Sequence, residues 1–112
     1  MQIKTDCKQG LALLALSGKF DFTARSQFEI ACQQLLRQAV VKRIHIDFAN
    51  VDFLDRSGIG QLRLFKAQAD AAGKPVALLN CKGLVLTIMQ VGHLDQMFKM
   101  ETPVAPACME YA

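Results

Sequence analysis

Asp55-Arg56-Ser57-Gly58 are the residues best placed to carry chemistry. They lie between an apolar run ending at Leu54 and an amphipathic stretch beginning at Ile59. At such a strand-to-helix corner, the helix start offers free backbone N–H donors and a partial positive charge. A hydroxyl there can accept phosphate from a partner kinase, and the helix terminus stabilises the added dianion. The same residues also fit plain capping, with Asp55 or Ser57 satisfying the first donors of the helix. The residues alone leave both readings open.

Other constellations say less. Ser57 with His45 or His93 and an Asp has the inventory of a triad, but a triad requires geometry, so we expect no catalytic residue. There is no G-x-G-x-x-G and no Walker loop, and Gly58-Ile59-Gly60 is too short to cradle a phosphate chain. The four cysteines, Cys7, Cys32, Cys81 and Cys108, contain no C-x-x-C pair. With only two histidines, no local ligand pair forms, and we expect neither metal nor cofactor. Cys32 and Cys81 read as small buried hydrophobes, and the thiols as reduced. His45 reads as a sheet-face residue, His93 as a cation at a helix end, and Met89 and Met97 as apolar filler.

The elements that must position the corner follow from periodicity. Leu11 to Gly18 reads as a buried strand, and Ile3 to Cys7 as its hairpin partner across Lys8-Gln9-Gly10. Phe28, Ala31, Cys32, Leu35 and Ala39 mark one face of a first helix, with Thr23 as its N-cap. Ile44, Ile46 and Phe48 alternate with Arg43, His45 and Asp47, giving a strand with one buried face. Val51 to Leu54 ends an extended segment. A second helix runs to about Ala72, with Ile59, Leu62, Phe65, Ala69 and Ala72 inward and Gly73 closing it. Pro75 opens a strand over Val76 to Cys81. A third helix spans Gly83 to about Val91, stopped by Gly92, and Leu94, Met97 and Phe98 pack a short turn or edge strand. Residues 101–112 read as a tail or short helix. The order β-β-α-β-α-β-α implies right-handed crossovers and a mixed sheet of four to five strands with helices packed against it, an α/β fold.

Composition bounds the function. The 112 residues fit one domain, and 52% hydrophobic content excludes a disordered chain. The net charge of +3 comes from scattered cations, and the chain has one Tyr and no Trp, a poor fit to nucleic acid. No apolar run is long enough for a membrane span, and the first ten residues lack the apolar core of a signal peptide.

Five segments together resemble the STAS domain family, the anti-sigma factor antagonists of bacteria. The corner Phe53-Leu54-Asp55-Arg56-Ser57-Gly58-Ile59-Gly60 resembles the family's strand, hydrophobic pair, Asp, two hydroxyls and Gly. Leu14 to Asp21 looks like its second strand and following loop, and Arg43 to Phe48 like its central strand. Gly73-Lys74 before Pro75 is similar to its helix exit, and Val91 to Phe98 to its closing segment. The resemblance covers about residues 2–100 of a single STAS domain, 1–112.

The resemblance implies a cytoplasmic regulatory switch in transcription, not an enzyme. Family members of this kind bind an anti-sigma factor that is usually a serine kinase, which frees the sigma factor. The kinase phosphorylates a hydroxyl at the helix start, and a PP2C-type phosphatase removes the phosphate. The phosphorylated hydroxyl usually follows the Asp directly, where this chain has Arg56. Ser57 is then the phosphorylation candidate, or the chain binds its partner without a phosphoswitch, or Arg56 binds an anion. The expected partner surface is Asp21, Asp55, Arg56, Ser57, Gly58, Gln61 and Arg63. Asp21 has an equal reading as a turn cap, and Gly58 and Gly60 are expected to admit a partner's backbone. Phe20 is expected buried and Phe22 partly so. Alternatives are a STAS subunit of an ABC-type transport or lipid-trafficking complex, and a small anion or nucleotide sensor. A homodimer is compatible with all of these.

Overall fold

The computed structural model describes residues 1–101. The expected C-terminal tail or short helix and Cys108 lie outside the described residues. Strands β1 (Gln2–Lys8) and β2 (Leu11–Phe20) form the expected antiparallel hairpin. Its loop is Gln9-Gly10, both at positive φ, +50° and +83°. That conformation gives a two-residue loop the twist its strands need, and glycine adopts it without steric cost. A 3-10 turn (Phe22–Ala24) and helix α1 (Arg25–Arg37) lead to β3 (Arg43–Leu54). Helix α2 (Arg56–Ala71), β4 (Val76–Leu79), α3 (Gly83–Val91), α4 (Leu94–Met97) and β5 (Lys99–Glu101) follow.

The five strands lie in chain order, and every pair after the first is parallel. Each parallel strand is added on the same side of the last. Right-handed crossovers then place all the connecting helices on one face of the sheet. The burial pattern agrees. Ala12, Leu14, Leu16, Ile44, Ile46, Phe48 and Leu78 are buried in one core with Phe28 and Leu35 of α1 and Leu62 and Phe65 of α2. Phe28 packs edge-on against Phe65, with ring centroids 5.9 Å apart, and against Phe20 at 4.8 Å. The alternate residues Leu11, Leu13, Ala15, His45 and Asp47 are only half-buried. Among the described residues, no helix covers the opposite face of the sheet.

Several boundaries differ from the sequence reading. β3 does not stop at Phe48 but runs to Leu54, because it holds an extra residue opposite Ala15–Ser17 and another opposite Gly18–Lys19. Such bulges bend a strand and break its alternation. The Asp47 carboxylate braces the first by accepting from the Ala49 N–H and the Asn80 side-chain amide, both at 2.9 Å. β4 ends at Leu79, before the expected Cys81, where Asn80 turns to φ +59°. Thr23 is not the N-cap of α1. Asp21 caps the preceding turn instead, and the helix is entered through Ala24. α3 spans the expected residues and Gly92 is its C-cap, as expected, with the left-handed conformation falling on the next residue, His93, at φ +60°.

The segment Gly73-Lys74 closes two helices. At the end of α2, the Lys74 N–H donates to the Ala69 carbonyl and the Gly73 N–H to the Asp70 carbonyl. With Gly73 at φ +72°, this is a Schellman closure. The Lys74 side chain then reaches the end of α1. Its ammonium donates to the carbonyls of Leu35, Leu36 and Gln38 at 3.2, 2.9 and 2.8 Å. Only 8% of Lys74 is exposed. A cation is the favourable occupant of a helix C-terminus, where carbonyls lack partners.

Candidate functional site

The last residues of β2 and β3 are paired, Lys19 with Phe53 and Phe20 with Leu54. The two chains leave the sheet side by side, as the turn after Phe20 and the corner before α2. A hydrogen bond ties them: the Asp55 N–H donates to the Phe20 carbonyl at 3.2 Å. Each loop is capped by its own carboxylate. Asp21 Oδ1 accepts from the Thr23 N–H at 3.1 Å and from the Thr23 hydroxyl at 2.6 Å. These bonds, the hydroxyl first, hold the Asp21 carboxyl below its usual 3.8, against the opposing effect of burial. The lowered value means this contribution to stability is present above pH 3.8 and fades as pH falls below it. Asp55 Oδ1 accepts from the Gly58 N–H at 3.0 Å, and the Ile59 N–H bonds the Asp55 carbonyl at 3.1 Å. Asp55 is thus the N-cap of α2, one of the two caps the sequence offered. Asp55→Ala is expected to lower stability by about 1 kcal/mol, measured by urea unfolding.

The expected site residues divide into three places. Asp21, Asp55, Arg56 and Ser57 come together at the paired strand ends. Arg56 is the first helical residue and exposed, and Ser57, the second, is half-buried. Gln61 follows Ser57 by one turn and is half-buried. Arg56, Gly60 and Arg63 form an exposed stripe along α2, spanning about 10 Å at the usual helical rise. Arg63 is engaged, since its guanidinium donates to the Gly92 carbonyl at the end of α3. That bond ties α2 to α3 from the solvent side.

Gly58 is not where a partner could approach it. It is buried, and a Cβ there would stand 2.5 Å from Leu54 Cδ1 and 2.9 Å from the Phe20 carbonyl oxygen. Its missing side chain lets α2 start against β2. Gly60 does face open space. Phe20 is buried as expected, whereas Phe22 is 59% exposed with the Arg25 guanidinium 4.3 Å over its ring. Phe53 is exposed beside the corner as well. The sequence reading missed Arg25 and Phe53, although exposed aromatics near a helix start are a recognisable signal.

The corner presents cations and aromatic surface, while its carboxylates are occupied by N–H groups. Among the described residues it holds no acid–base pair. His45 lies near the start of β3, roughly 30 Å along the strand from the corner, so a Ser57–His45 pair is not assembled. Burial, and then Asp47, pushes the Cys81 thiol up to about 12, and burial raises Cys32 further. Neither is a nucleophile at neutral pH.

A family model described as Mlab, STAS domain, matches residues 4–101. A STAS-domain containing protein of Pseudomonas aeruginosa is 29% identical over 87 residues, 78% of this chain and 84% of its own. Among solved structures, an anti-sigma-factor antagonist (STAS) domain protein from Planctomyces limnophilus superposes with a TM-score of 0.79 at 16% identity, over 94% of this chain and 92% of that one. The Bacillus cell fate determinant SpoIIAA in its phosphorylated form gives 0.71 at 22% identity, over 92% of each chain. A sulfate transporter family protein from Wolinella succinogenes gives 0.69 at 14% identity, over 80% of this chain and 73% of that one. These structures share the fold. Among the described residues, no helix is long and apolar enough to cross a membrane.

Proposed function

The chain belongs to the STAS domain family, and from that premise we propose that it is a regulatory protein-binding module working as an anti-sigma factor antagonist. Its partner is an anti-sigma factor of the serine-kinase kind, in the cytoplasm, and docking of that partner frees the sigma factor. The observation that carries this reading is the corner. Two hydrogen-bonded loops, each capped by its own carboxylate, project Arg56 and Phe22 into solvent beside the start of α2. The antagonist structures that share the fold support it.

The place directly after the Asp, where family members usually carry the phosphorylated hydroxyl, is Arg56. A guanidinium is a permanent cation and accepts no phosphate in this chemistry. Ser57, one residue on, is half-buried. The reading is therefore a partner-binding antagonist without a phosphoswitch, on which a PP2C-type phosphatase has nothing to act. Incubation with the cognate kinase and ATP, followed by mass spectrometry and a binding assay, tests this. The native chain is expected to gain no phosphate and to bind equally with and without ATP. Arg56→Ser supplies the missing hydroxyl, and that variant is expected to gain a phosphate and lose affinity about ten-fold in ATP. Phosphate on Ser57 of the native chain, lost in Ser57→Ala, would mean a displaced switch instead. No binding in either form removes the antagonist reading.

One observation favours a second reading. The fold is shared with a sulfate transporter family protein, and a module without a phospho-acceptor suits a constitutive subunit of a transport complex. Recovery of an ABC-type ATPase, and no kinase, with the tagged chain would favour it.

A further inference from the structure

The outer edge of β1 is a feature separate from the corner. The edges of the sheet are β1 and β5. β5 has 3 residues, and so short an edge offers little for another strand to pair with. β1 has 7, in unbroken register with β2 and without a proline. In a two-residue hairpin the closing pair, here Lys8 and Leu11, exchanges both its hydrogen bonds, and bonded pairs alternate from there. Gln2, Lys4, Asp6 and Lys8 therefore bond β2. The backbone N–H and C=O groups of Ile3, Thr5 and Cys7 point outward, where no strand meets them among the described residues. Such a row of groups is a template for another strand.

The side chains of β1 select which strand fits. A second copy of β1 laid antiparallel, with Thr5 opposite Thr5, matches all 7 residues. That register sets Lys4 opposite the partner's Asp6 and Asp6 opposite the partner's Lys4, in the pairs whose side chains come closest. All three charged residues of β1, Lys4, Asp6 and Lys8, are exposed, and among the described residues none has an ion-pair partner. On the other face Ile3 meets the partner's Cys7. There Ile3 and Thr5 line a groove of about 300 Å³ with Gln27, Ile30 and Ala31 of α1, and Ile30 is 60% exposed. An added strand would cover part of that apolar surface. Sliding the pairing by two residues, the step that keeps the faces aligned, brings like charges together. One way Asp6 faces Asp6 and Lys4 faces Lys8, and the other way Lys4 faces Lys4. Like charges directly opposite are destabilising. The longest register is thus also the one the charges favour.

We propose that β1 pairs with β1 of a second copy of the chain, giving a two-fold dimer whose sheet is continuous across the paired Thr5 residues. The test is sedimentation velocity of the full chain over about 1–500 µM, a range that brackets a weak dimer. A shift from monomer to dimer is expected. Lys4→Glu and Asp6→Lys, each at an exposed position, are each expected to weaken dimerisation about ten-fold or more, with the native thermal midpoint kept. Mixing the two variants makes both cross-strand pairs attractive again and is expected to restore a mixed dimer. Thr5→Pro removes an outward N–H, which an edge strand can spare, and is expected to leave the monomer folded and abolish the dimer. A monomer at every concentration, a dimer that survives Thr5→Pro, or single variants that fail to recover on mixing would overturn the proposal. Slow exchange of the Thr5 amide at the lowest concentration would mean that the edge is covered within one chain, and would overturn it too.

Discussion

Gly58→Ala is expected to destabilise the protein by about 2 kcal/mol, while Gly60→Ala, two residues later in the same helix, stabilises it by about 0.5–1 kcal/mol. Helix propensity favours alanine at both places by up to about 1 kcal/mol, so it cannot produce opposite signs. The surroundings do. At Gly60 a new methyl meets nothing within 4 Å. At Gly58 it lands 2.5 Å from Leu54 Cδ1 and 2.9 Å from the Phe20 carbonyl oxygen. The leucine can change rotamer, but the carbonyl cannot retreat, because it accepts the Asp55 N–H. Relief requires α2 to lift from β2, which stretches that bond and separates the two loops of the corner. Urea midpoints of the two variants measure the stability difference, and equal shifts would show that the contact is not tight. The Gly58 variant should also bind its partner less well than its lost stability explains, because the docking geometry itself has moved.

The second large effect is expected at Lys74. Lys74→Met keeps the aliphatic stem and removes the ammonium, leaving the carbonyls of Leu35, Leu36 and Gln38 without their shared donor. Hydrogen bonds to charged groups contribute about 1.5–3 kcal/mol each when they stand alone. Three on one ammonium are not additive, and water reaches part of the vacated end. The expected loss is about 2–4 kcal/mol, or roughly 10–15 °C in thermal midpoint for a domain of this size. Scanning calorimetry checks it. A shift of a degree or two would mean that the ammonium is not seated among those carbonyls in solution.

These two residues also mark where sequence reading reaches its limit. Gly58 was legible as a corner residue but not as a packed one, since the atom that excludes a side chain belongs to Phe20, far back in the chain. Lys74 was legible only as part of a helix exit. Its acceptors lie more than thirty residues earlier, and no local pattern encodes such a partner. The hairpin and the inward faces of α1 as far as Leu35 and of α2 as far as Ala69 were readable because strand and helix periods repeat within a few residues, whereas Ala39 and Ala72, expected inward, lie past the helix ends and are exposed. The full length of β3 is not legible because its bulges interrupt the alternation after Phe48, though the chain stays extended. Thr23 resembles a cap in sequence because its hydroxyl precedes the first apolar helical position. The carboxylate of Asp21, two residues earlier, makes the capping bond. The corner itself was visible in Asp55-Arg56-Ser57-Gly58, because a cap followed by small residues ahead of an apolar helix is a local signal.

The seat of Lys74 has a practical consequence. Among the described residues it is the one buried charged side chain. Amine-acylating reagents would label the exposed lysines of the native protein promptly, but Lys74 only when the junction between α1 and the entry to β4 comes apart. Timed acylation, quenching and peptide mapping would then make this one side chain a built-in stopwatch for opening of that junction, read without any added probe.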